Sequence, residues 1–119
     1  MQQYSGTSFT TWRWFVQGTL GILLLVLLSI HLLVNHWIAP QGLLTYADIL
    51  RYYDVPGIAL MEILFLVVVT THCLLGVHAI LLDMALSTTT IRVLTWTLLV
   101  AGLAIIAFGI RLTWIVAIL

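Results

Sequence analysis

Three apolar runs, each about the length needed to cross a hydrocarbon core roughly 30 Å thick, take up most of this 119-residue chain. They read as residues 13–37, 57–83 and 92–119. Backbone amides in lipid must be satisfied within the segment, and these runs lack the alternation of a barrel strand, so each is expected to be a helix. Composition agrees: with 63% hydrophobic and 7% charged residues, the chain has too little polar surface to cover a water-soluble globule. The expectation is an all-α membrane protein of one domain with three transmembrane helices.

The first run reads as retained rather than as a cleaved signal, because a polar leader from Met1 to Thr11 precedes it and no small-residue cleavage site follows. A formal net charge of zero, with no lysine and no basic cluster, gives no sign of nucleic acid or of an anionic-lipid patch as a partner. Cys73 is the single cysteine, which excludes an internal disulfide and a thiolate metal cage, and it reads as a small helix-packing residue. The five tryptophans, Trp12, Trp14, Trp37, Trp96 and Trp114, fall near span ends, as amphipathic rings do at two interfaces. Residues 39–56 read as a short surface helix ended by Pro56 and Gly57, and residues 84–91 as a Ser/Thr-rich turn between antiparallel neighbours. Arg13 and Arg92 lie on one side of the membrane, which favours a cytoplasmic amino terminus and outward-facing residues 39–56.

Ionisable groups inside a span are costly, so each is a candidate for function. The first run carries His31 and His36, the second Glu62, His72 and His78, and the third Arg111. On a helical wheel, His72, Gly76, Ala79 and Asp83 fall within about 40° of one another and His78 lies about 120° away. An imidazole with a glycine one turn on suits a flat macrocycle that must approach a helix closely; small residues also serve helix packing. In the first run, Gln17, Gly21, Leu24, Leu28, His31 and Asn35 share a face within about 80°. Asn35 is placed to fix the His31 tautomer, as partners of metal-bound histidine do. His36 sits beside Trp37, where water can satisfy it.

From a rise of about 1.5 Å per residue, His31, Glu62 and Arg111 share a level roughly 8 to 12 Å toward the outer side, and His72 lies near the midplane. Asp83 falls at the inner interface. Arg111 is expected to pair with Glu62 or with a haem propionate, because an unpaired guanidinium at that depth is too costly.

The stretch His72-Cys-Leu-Leu-Gly76-Val-His78-Ala-Ile-Leu-Leu-Asp83 resembles the H-x3-G-x6-D signature in the second helix of the small hydrophobic anchor of succinate dehydrogenase and fumarate reductase, respiratory complex II. The segment from Tyr46 to Pro56 is also similar to bacterial and archaeal members, as is Gly21 followed by a leucine-rich run into His31 and His36. The resemblance covers residues 12–83. It implies that His72 is an axial ligand of haem b, that His31 is the ligand of a second, outer haem as in di-haem members, and that Asp83 lies at a quinone site on the inner surface.

On that resemblance the chain is half of a haem-binding helical bundle in the cell inner membrane. A second membrane anchor subunit completes the bundle, and an iron–sulfur subunit and an FAD flavoprotein dock on the inner face. The cofactors implied are haem b, one or two per anchor pair, and quinone. Dicarboxylate chemistry has no place in this chain. Two departures shift quinone contacts toward partner chains: Met84 stands where members carry a tyrosine, and Gln17-Gly18 replace an R-x-S-G-like context. Two other readings of the same residues are a haem-free anchor, in which the histidines pack or hydrogen-bond, and a small proton-conducting transporter subunit using His and Glu.

Overall fold

The computed structural model describes residues 6–119. The described chain is all helical: α1 (Gly6–Ile38), α2 (Tyr46–Tyr53), α3 (Ile58–Asp83) and α4 (Thr88–Ala117). Three segments, Thr11–Ile38, Ile58–Asp83 and Thr88–Ala117, are long and apolar enough to cross a membrane. This is a multi-pass membrane protein. Residues 1–5 of the polar leader lie outside the described residues, and from Gly6 the leader is helical and continuous with the first span.

The last helix starts four residues earlier than its hydropathy suggests. Ser87, in an extended conformation, accepts a hydrogen bond from the Thr90 backbone N–H at 3.1 Å and so caps α4 before the apolar run begins. The turn between α3 and α4 thereby shrinks to Met84–Ser87, with Ala85 at φ +49°. In the first connection, Thr45 and Asp48 form a reciprocal capping box that starts α2. Gly57 at φ +89° then turns the chain into α3, a conformation that favours glycine.

α3 is the central helix, packed against α1 on one side and α4 on the other, while α2 contacts α3 and α4 at the Gly57 end of the bundle. The internal core is thin. Tyr52, Ile58, Val68 and Thr70 are buried, and the leucines and isoleucines of all three spans are largely exposed. Those surfaces require lipid or other helices around them. All five tryptophans are exposed near helix ends, between 62% and 79%, consistent with two interfacial belts. Cys73 is exposed as well, so it does not pack between helices of this chain, contrary to expectation.

Candidate functional site

The two polar faces marked in the sequence close on each other. On α1, Gln17 and Gly21 meet Gly76 and His72 of α3. A Cβ at Gly21 would lie 3.3 Å from His72 Cε1, and one at Gly76 would lie 3.2 Å from Gln17 Nε2. Each missing side chain lets a polar group of the facing helix approach the backbone. Gln17 Nε2 uses that approach to donate to the His72 carbonyl at 3.1 Å. The room provided at Gly76 is therefore filled by α1, where the sequence suggested a macrocycle.

The His72 ring itself has no hydrogen bond among the described residues, and its Nδ1 is buried without a partner. A buried imidazole nitrogen left unpaired is costly, and a metal or an unseen donor is the usual remedy. Against the requirements of a haem ligand, the residues fit in two respects: the ring is uncommitted, and a glycine faces it. No group of three or more His, Cys, Asp or Glu able to hold an ion by themselves occurs among the described residues.

A pocket of about 370 Å³ opens one to two turns from His72 toward the inner end, lined by Arg13, Trp14, Gln17, Ala79 and Asp83 among others. It places the carboxylate expected at a quinone site beside an arginine and a glutamine from α1. Arg13, read in the sequence only for topology, was missed as a site residue. Its position at the very start of the first apolar run gave no sign that its guanidinium turns inward.

Arg13 also donates to His78 Nδ1, and His78 Nε2 lies 2.9 Å from Thr95 Oγ1, which in turn donates to the Ile91 carbonyl at 2.7 Å. Since Nδ1 accepts from an arginine, His78 is the Nε2–H tautomer and donates to Thr95. One polar chain thus ties α1, α3 and α4 together at the inner end, which gives His78 a place.

At the opposite end of the bundle, beside α2, His31, Glu62, Asn35 and Tyr52 form a second cluster. Tyr52, 2% exposed, donates to Glu62 Oε1 at 2.6 Å. Asn35 Nδ2 donates to the His31 carbonyl at 2.9 Å and approaches His31 Nε2 at 3.0 Å. The carbonyl fixes which way the amide faces, so Nε2 is an acceptor and the ring proton sits on Nδ1. Nδ1 lies 3.1 Å from Glu62 Oε1, close enough for electrostatic attraction but outside hydrogen-bonding angles. The ring also stacks on Phe65, with centroids 5.0 Å apart.

The levels expected for His31 and Glu62 hold, and the partner expected for Glu62 does not. Glu62 is taken by Tyr52 and His31, whereas Arg111 is exposed and forms no ion pair among the described residues. Near the end of α4 a long guanidinium side chain can reach the interface and be hydrated. For an outer haem, an iron at His31 Nε2 would have to displace Asn35, and Nδ1 faces a carboxylate. His31 fits that role less well than His72 does. His36 is exposed, as expected for a hydrated interfacial ring. In comparisons with protein-family models, with curated proteins and with solved structures, nothing matched this chain.

Proposed function

We propose that this chain is a membrane anchor subunit of a succinate:quinone oxidoreductase, contributing His72 as an axial ligand of haem b and the Arg13, Gln17 and Asp83 pocket to a quinone site. The observation that carries the proposal is the His72 ring, half-buried near the middle of α3, uncommitted to any hydrogen bond and facing Gly21. Haem b, when bound, would supply one-electron chemistry alongside the iron–sulfur to quinone route. The chain's own part is to orient the imidazole through α1 packing and to shield it from water. At the inner end, Arg13 and Gln17 offer donors to a carbonyl head group, and Asp83 offers a carboxylate able to exchange a proton with the inner aqueous side.

In this reading the amino terminus and the Met84–Ser87 turn face the cytoplasm of the cell inner membrane. The second anchor subunit, which would provide the other axial ligand, packs on exposed apolar faces of the bundle. The iron–sulfur and flavoprotein subunits sit at the Arg13 end. The outer cluster holds α2 in place, so one haem is proposed per anchor pair.

A haem-free anchor is the second reading. It is favoured by Gln17 over Gly76, which gives the H-x3-G spacing a packing role without any cofactor. An absorption spectrum of the assembly purified from membranes separates the two. The haem reading expects a Soret and α band of a low-spin b-type haem, lost or converted to high spin in His72→Ala. An intact complex with no haem, or an unchanged spectrum in that variant, removes His72 from the role. A redox titration should resolve one haem b component; two components, one of them lost in His31→Ala, would restore the outer site.

A further inference from the structure

The groove between α3 and α4 adjoins the pocket beside Asp83, sharing Arg13 and Leu75 with it, and runs toward the other end of the bundle along α4. Its volume is about 450 Å³, and its walls are almost wholly apolar, with Leu99, Leu103 and Ile106 among them. One end is closed by Arg13, His78 and Thr95. From Thr95 to Ile106 it extends about 16 Å along α4, from the membrane interface to mid-bilayer.

The polar end is cationic. Arg13 is only half exposed, its hydrogen bond goes to a neutral imidazole, and no carboxylate pairs with it among the described residues. Arg92, exposed and just beyond the residues that line the groove, lies one turn before Thr95 on α4. Asp83, the nearest acid in the sequence, lines the adjoining pocket together with Arg13 but forms no ion pair with it. A guanidinium at a membrane interface, held in place by His78 and forming no ion pair among the described residues, favours an anion at that level. An apolar channel running from it toward mid-bilayer calls for a hydrocarbon chain.

We infer that the α3/α4 groove is a binding site for one anionic diacyl phospholipid, its phosphodiester on Arg13 and Arg92 and an acyl chain along Leu99, Leu103 and Ile106. Charge complementarity selects this occupant: a zwitterionic lipid brings a compensating ammonium, and an apolar helix of another protein leaves both arginines unpaired. His78 is a positioning residue that fixes the guanidinium by accepting from it. The inference is independent of any haem at His72, whose ring lies on the α1 side.

The test uses the full chain, with whatever subunits accompany it, extracted in mild detergent, exchanged into micelles containing equal amounts of dioleoyl-phosphatidylglycerol and dioleoyl-phosphatidylcholine, and weighed by native mass spectrometry. The wild type should retain one phosphatidylglycerol per chain in clear preference to phosphatidylcholine. Arg13→Gln should lower that preference about tenfold, the scale of one charge-assisted hydrogen bond. Leu99→Trp, which fills the groove from its exposed wall, should lower retention of both lipids. Arg92→Gln provides the same reading if Arg13→Gln fails to insert. Arg51→Gln, at the other end of the bundle, should leave retention unchanged. Equal retention of the two lipids by the wild type, a preference untouched by either arginine substitution, or a partner helix or quinone in the groove with no lipid retained would overturn the inference.

Discussion

Tyr52 is the most buried aromatic side chain among the described residues, and it spends its hydroxyl on Glu62, the one acidic residue within a span interior. Burial raises the phenol's pKa above its ordinary value of 10, and the Glu62 carboxylate beside it adds to the rise. The folded state therefore holds the phenolic proton more tightly than the unfolded chain does. Stability from the neutral phenol is complete below pH 10 and is lost as pH rises beyond it toward the folded value. Tyr52→Phe should cost about 1 to 3 kcal/mol, because the buried carboxylate loses a donor. A thermal melt in detergent checks the loss, and the last phenol to ionise in an absorbance titration at 295 nm should vanish. Asp48 behaves in the opposite sense. Its carboxyl accepts from the Thr45 hydroxyl and from the Thr45 backbone N–H, which lowers its pKa below 3.8. Its contribution to α2 is present above that value and fades as pH falls through the lower folded one. Pepsin should accordingly cleave the connection around α2 increasingly from pH 4 to pH 2 in the wild type, and throughout that range in Asp48→Asn.

At the scale of elements, α3 is held by three polar ties, none of which involves an ordinary salt bridge between full charges. Gln17 reaches its backbone over Gly76, Arg13 and Thr95 grip His78, and Tyr52 and His31 surround Glu62. In lipid, where apolar contact alone does not choose a helix partner, small residues and such hydrogen bonds set the register. Gly21 and Gly76 should therefore resist enlargement. Gly21→Leu drives its side chain into His72, and Gly76→Leu expels Gln17, each at a cost of about 1 to 3 kcal/mol. Gly18→Leu is the control, since nothing lies within 4 Å of a Cβ built there. Thermal denaturation in detergent should separate Gly18→Leu from the other two; equal melting of all three would mean that the α1–α3 seam contributes little.

For the whole molecule, the thin core implies that the bundle is completed by its surroundings. On the proposed function, Asp83→Asn is expected to lower quinone reduction by the complex while sparing succinate oxidation with a soluble acceptor; equal loss in both assays would assign Asp83 to assembly. Cysteine placed at Ser87, in a background without Cys73, should react with a membrane-impermeant reagent from the cytoplasmic side only. Reaction from outside in intact cells would invert the proposed topology and move the Arg13 end, with its pocket and groove, to the other leaflet.

The number of spans, their limits at Gly57 and Asp83, and the faces holding His31 with Asn35 and His72 with Gly76 were legible in the sequence because length, hydropathy and helical period are local properties. Ser87 as the start of α4 was a local signal too, overlooked beside the louder apolar run after Arg92. The partners of those faces were not legible, because a helical wheel gives a direction and not what lies there. Only the tertiary structure set Gly21 against His72, gave Glu62 to Tyr52 in place of Arg111, and turned Arg13 inward onto His78. The short connection through α2 brings Tyr52 to the level of Glu62, and a phenol reaches a buried carboxylate at a smaller desolvation cost than a guanidinium does.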